Sequence, residues 1–167
     1  MTIKTKVPDF TLRPAAETDC AEILSFIKGL AAYEKLSHEV VATEEKLRQT
    51  LFGPRPAAEV IIGEYRDEPV AFALFFHSYS TFLAQPGIYL EDLFVEPAWR
   101  ARGFGRALLS YLAQLTLERD CARLEWSVLD WNEPAIGFYH ALGAQPMDEW
   151  TVRRVTGQTL EDLAARF

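Results

Sequence analysis

"IYLEDLFVEPAWRARGFGRALLSYL", residues 88 to 112, changes its apolar period halfway along. The first half is an apolar run interrupted by two adjacent carboxylates, Glu91 and Asp92, and it reads as a strand over 87–96. The second half places Leu108, Leu112 and, just beyond, Leu115 at helical spacing beside Leu109, which predicts a helix from Gly103 to about Arg119. A turn that follows a strand and opens a helix presents unpaired backbone N–H groups at the positive end of the helix dipole. Gly103 and Gly105 remove side chains there, so an anion can approach the backbone. The spacing is neither GxGxxG nor GxxxxGK followed by serine or threonine; it is Arg100-Ala101-Arg102-Gly103-Phe104-Gly105. Taken alone, such a glycine turn is more often purely structural, and its arginines a solvated face.

Working outward, residues 10–15 (FTLRPA) predict a short strand, followed by a helix capped by Thr18 or Asp19 with Ile23, Leu24, Ile27 and Leu30 on one face. A second short helix starts at the cap Thr43, carries Glu44 and Glu45 in its first turn, and stops at Gly53-Pro54. "YEKLSHEV" between the two helices is a polar loop. Residues 58–65 and 69–79 are β-rich runs around "RDE", the pattern of an antiparallel hairpin. Downstream, 122–129 returns to a strand, 132–143 is a helix with proline in its first turn and Gly143 just past its end, 150–155 (WTVRRV) is a last strand and 160–166 a last helix. The expected fold is an α/β (α+β) mixed sheet flanked by helices, with 88–129 as a β-α-β unit whose two strands run parallel. One domain over 1–167 is expected from the length.

Net charge is −7 and the pI is near 5.0, which provides no general surface for nucleic acid and does not repel a cationic substrate. No run of about 18 apolar residues and no signal peptide is present, so no membrane association and a cytoplasmic location are expected. Cys20 and Cys121 lack a CxxC spacing, and His38, His77 and His140 lack metal-ligand spacing, so neither a disulfide framework nor a metal is expected.

The glycine turn, read after "YLEDLFVEPAW" and before "RALLSYL", resembles the acetyl-coenzyme A (acetyl-CoA) pyrophosphate loop of the GNAT superfamily of N-acetyltransferases. "WNEPAIGFYHALGA" is similar to a second conserved segment of that superfamily, and "AAYEKLSHEVVATEEKL", "IYLEDLFV" and "VLDWNEPAIGFY" are similar to its diamine branch, which includes spermidine/spermine and thialysine acetyltransferases. The resemblance implies a mostly antiparallel sheet with a central parallel pair of strands that splay apart, here 88–96 and 122–129, with the cofactor's arm in the gap. No sequence feature locates the β-bulge that would splay them. It also implies a homodimer.

Acetyl transfer from a thioester to an amine needs the free base, and an alkyl ammonium has a pKa of about 10.4, so the site must take up a proton. Glu91 matches the acid to which the diamine branch gives that work. In a regular strand Asp92 points to the opposite face, so at most one of the two faces the thioester; Asp92 is the candidate for holding the substrate's charge. Tyr139 matches the family's general acid, which protonates the leaving thiolate. Asn132 both suits a helix cap and matches a cofactor-contacting asparagine. Backbone N–H groups of Leu93, Phe94 and Val95 are candidates for the carbonyl oxygen, and Arg100, Arg102, Gly103, Phe104, Gly105 and Arg106 for the cofactor's phosphates. Glu34 and Trp150 match segments lining the acceptor pocket, although the connection "AQPMDEW" is shorter than in the spermidine/spermine enzymes. The expected reaction is direct transfer from acetyl-CoA to a primary amine of a small molecule. The alternatives are an amino acid, aminoglycoside or protein amine as acceptor, or a non-catalytic coenzyme A sensor.

Overall fold

The computed structural model describes residues 1–167. Its contacts divide the chain into two compact units, Met1–Leu129 and Asp130–Phe167.

The first unit is a six-stranded sheet in sequence order: β1 (Ile3–Lys4), β2 (Phe10–Pro14), β3 (Glu59–Tyr65), β4 (Glu68–Ser80), β5 (Gln85–Val95) and β6 (Leu124–Trp126). The first five pair antiparallel, and β5 pairs with β6 parallel. The hairpin predicted around "RDE" turns on Arg66 and Asp67, both at positive φ, the two-residue geometry that matches strand twist. β1 had no signal in the sequence because two residues are too few to show a period.

Helices α1 (Cys20–Tyr33) and α2 (Glu44–Phe52) cover one face, where Ile23, Phe26, Leu47 and Leu51 pack with Ile62, Phe72 and Phe94. Phe26 and Phe72 stack at 5.3 Å, and each such fully buried side chain stabilises the fold by about 1.5–3 kcal/mol. Thr43 caps α2 as expected, its hydroxyl accepting from the Lys46 N–H at 3.2 Å. Asp19 stands at the N-terminus of α1 without capping it. Its carboxylate instead accepts from the Ala16 N–H at 2.7 Å and from Arg13, which also reaches Glu64 at 2.6 Å. Charged donors outcompete a helix-end amide for this carboxylate, and they hold it below the usual carboxylate range.

Helix α3 (Phe104–Glu118) follows β5, with Phe104 stacked on Phe10 at 4.0 Å and Leu108, Leu109, Leu112 and Leu115 buried. The strand expected over 122–129 is only Leu124–Trp126, pairing with Ile88–Leu90. β5 continues to Val95 after β6 has ended, so its last residues, Glu91 to Val95, run on without a β6 partner.

The second unit holds α4 (Glu133–Ala141) and α5 (Gly157–Ala164). Asn132 caps α4, accepting from the Ala135 N–H at 3.4 Å, and Gly143 follows its end at φ +88. The strand expected over 150–155 does not form, and these residues are all exposed. Alternation alone does not make a strand, because its backbone groups need a neighbouring strand to bond. No helix is long and apolar enough to cross a membrane.

Candidate active site

The two carboxylates of the opening stretch sit on a β-bulge. Between β4 and β5, Leu74 is opposite Asp92 while Phe75 is opposite Leu90, so Glu91 is the extra residue. Cross-strand partners share a face, so Ile88 and Leu90 lie on one side with Phe75, whereas Asp92 and Phe94 lie on the other with Leu74 and Phe72. That second side is the one covered by α1 and α2. An unbroken alternation would have kept Asp92 and Phe94 with Leu90. The two acids do differ in surroundings, as expected, but the bulge rather than simple alternation sets the difference: Glu91 is exposed and Asp92 is half-buried.

Burial, then the neighbouring Glu91, then Glu34, raise the Asp92 carboxyl from its ordinary 3.8 to about 6. Glu34 is brought to this place by the end of α1. Lys35 adopts φ +61, and the Leu36 N–H donates to the Ala31 carbonyl at 2.8 Å, closing the helix in a Schellman motif that fixes Glu34. Glu34 is itself raised by burial. Three sequence-predicted acids, Glu34, Glu91 and Asp92, therefore form one acidic patch, an environment suited to an alkyl ammonium.

Beyond Val95, a 3-10 turn (Pro97–Trp99) leads to Ala101 at φ +61 and Gly103 at φ +85, and α3 begins at Phe104. Gly103 offers α3 no side-chain cap, leaving the first amides of a 15-residue helix for an anion. Phe104 is 2% exposed, so only its backbone can serve that anion. A Cβ on Gly105 would find Val95 Cγ2 at 3.9 Å, an ordinary contact, so the fold itself does not require glycine there. Arg102 lies 4.7 Å over the Trp99 ring, and Arg106 lines a cavity of about 370 Å³ with Gly103, Ser110 and Gln114. Arg100 turns toward α1: its Nε donates to the Val95 carbonyl at 3.0 Å and its guanidinium lies 4.8 Å over Tyr33. Tyr33 opens the "YEKL" segment that matches the acceptor-pocket lining, but no sequence feature pointed to its contact with Arg100.

The second unit carries the other candidates. Tyr139 lies in α4 with its ring 5.5 Å from Phe138, Asn132 caps the same helix, and Trp150 is exposed after a turn closed by its N–H on the Met147 carbonyl at 3.1 Å.

The profile of the acetyltransferase (GNAT) family matches residues 27–144. A thialysine N-epsilon-acetyltransferase of Bos taurus is 38% identical over 93% of this chain and 97% of its own. An L-ornithine N5-acetyltransferase of Arabidopsis thaliana is 33% identical over 90% of this chain and 86% of its own. Among solved structures, an integron cassette protein from the mobile metagenome of V. cholerae superposes with a TM-score of 0.79 at 24% identity, covering 93% of this chain and 98% of the other. A glycine turn opening a helix after the first strand of a parallel pair, together with these matches, makes the chain a member of the GNAT family of acetyltransferases.

Proposed function

We propose that the protein transfers the acetyl group of acetyl-CoA to a primary amine of a small cationic molecule, a diamine, polyamine or thialysine-like amino acid. The observation that carries this reading is the acidic patch formed by Glu91 and Asp92, on the strand that leads into the glycine turn, with Glu34 from the end of α1. Relatives named for thialysine, for ornithine and, in Homo sapiens, for spermidine/spermine support the acceptor class. The turn's residues fit a pyrophosphate. Packing tolerates a Cβ at 105, so the fold does not require glycine there, and close approach of a ligand gives a reason for it.

Acetyl-CoA supplies a thioester whose carbonyl carbon bonds to the amine nitrogen as the carbon–sulfur bond breaks. Glu91 takes the ammonium proton, and Asp92 with Glu34 holds the remaining positive charge. The backbone N–H groups of Leu93 to Val95, on the part of β5 beyond β6, stabilise charge on the carbonyl oxygen. Arg102 and Arg106, with the first amides of α3, serve the phosphates. Tyr139 delivers a proton to the departing thiolate, and Asn132 orients the same segment. Trp150 contributes to acceptor binding. Transfer is direct: Cys20 and Cys121 are buried, and burial raises the Cys20 thiol, so neither is an activated nucleophile.

The two units act as one catalytic domain over 1–167, a reading supported by relatives that match more than nine-tenths of the chain. The active form is a cytoplasmic homodimer; exposed Trp150, Val152, Leu160 and Leu163 in the second unit provide apolar surface for pairing.

The test is thiol release from acetyl-CoA with spermidine, putrescine, thialysine, ornithine, lysine and an aminoglycoside, with Tyr139→Phe alongside. Release with a diamine or thialysine-like acceptor, reduced at least about a hundredfold in the variant, is expected. Release only with the aminoglycoside, or with none of them, overturns the acceptor class.

A further inference from the structure

Arg100 opens the R-x-x-G-x-G turn, yet its side chain is committed to the acceptor side of the site. Its Nε donates to the Val95 carbonyl at 3.0 Å, and its guanidinium lies 4.8 Å over the Tyr33 ring and 5.5 Å over the Phe94 ring. Tyr33 is the last residue of α1 and precedes Glu34. Phe94 lies on the same face of β5 as Asp92, two residues further on. One planar cation thus joins the phosphate turn, the bulged strand and the end of α1.

Resting on the proposed reaction, we propose that Arg100 is a positioning residue for the amine rather than a phosphate ligand, tying the end of α1 to β5 so that Glu34 stays beside Asp92. A tie is needed because this arrangement opposes itself. Two carboxylates repel each other, and Glu34 stands at the negative end of α1's dipole. Arginine suits the task where lysine does not, because its flat, weakly hydrated plane stacks on rings while Nε still donates.

The test uses Arg100→Met, Arg100→Lys, Tyr33→Leu and the Arg100→Met/Tyr33→Leu double variant of the full chain. Acetyl-CoA Kd is measured by calorimetry, and amine KM and kcat with whichever acceptor the wild type uses. Amine KM is expected to rise roughly threefold to tenfold in each single variant and no further in the double, with acetyl-CoA Kd within about twofold of wild type. Arg100→Lys should resemble Arg100→Met, since the plane and Nε rather than the charge make the contacts. Wild-type amine KM in Arg100→Lys, or a loss confined to acetyl-CoA affinity, overturns the assignment. A second reading does not depend on the reaction: amide hydrogen exchange of residues 30–36 in the unliganded chain should speed up at least about threefold in Arg100→Met. Unchanged exchange there overturns the tie even if the enzyme acetylates amines; faster exchange in a chain inactive on every amine supports the tie while the proposed reaction fails.

Discussion

Asp92 shows how a single residue's surroundings become a measurable property. Its folded pKa lies above its ordinary value, so the fold binds its proton more tightly than the unfolded chain does. The stability this contributes is full below 3.8 and is lost as pH rises through about 6. Asp92→Asn removes the buried charge and should stabilise the protein at pH 8 by about 2 kcal/mol in urea unfolding, with the difference vanishing near pH 4. The same substitution should raise amine KM, because the patch loses a charge. A stability difference independent of pH would mean that Asp92 is not the titrating group. At Gly105 the fold has little at stake: Gly105→Ala should leave stability within about 0.5 kcal/mol of wild type while weakening acetyl-CoA binding at least about tenfold. Unchanged affinity, read by calorimetry, would remove the ligand's claim on that position.

Among elements, the junction of α1 with β5 matters most to the site. A Cβ on Gly29 would lie 2.7 Å from Phe94 Cζ and 2.9 Å from Cε1, so α1 sits on the bulged strand at glycine distance. Gly29→Ala gains about 1 kcal/mol in helix propensity but must displace a buried ring, at a cost of about 1–3 kcal/mol. The expected outcome is net destabilisation together with a raised amine KM, since Phe94, Arg100 and Tyr33 move as a set. A more stable variant with wild-type KM would show that α1 yields freely. α2 carries none of the candidate site residues and offers a control: Thr43→Ala removes the bond to Lys46 N–H and should cost about 1 kcal/mol in urea unfolding with kinetics unchanged.

For the whole molecule, the second unit leaves Trp150, Val152, Val155, Leu160, Leu163 and Phe167 exposed. Burying such a set against a second copy is the expected reason for it, so light scattering should give twice the chain mass of 19.0 kDa at micromolar concentration. A single-chain mass under those conditions would remove the dimer from the proposal. The five helices and the strands β2 to β6 follow the sequence because each has its own local signal, such as the cap at Thr43, a glycine at the start of α3 and after α4, or apolar residues at helical spacing, whereas β1 has none and the alternation over 150–155 makes no strand.

Local signals of this kind are what the sequence by itself determined, because caps, turns and periods act over a few residues: the mixed sheet, the glycine turn at the head of α3, and the acids on β5. The bulge at Glu91 had no such signal, since it exists only as a difference in register between β4 and β5. A cap at Thr18 or Asp19 is the local expectation, but Arg13, held between Asp19 and Glu64 by the pairing of β2 with β3, takes the Asp19 carboxylate instead. Tyr33 beneath Arg100, and Glu34 beside Asp92, join residues far apart in the chain. Residues 150–155 have a strand's alternation and no strand, because pairing is a property of two segments and not of one. Charge, burial and register at the acceptor patch are all set by such distant partners, and for that reason only the tertiary structure decided them.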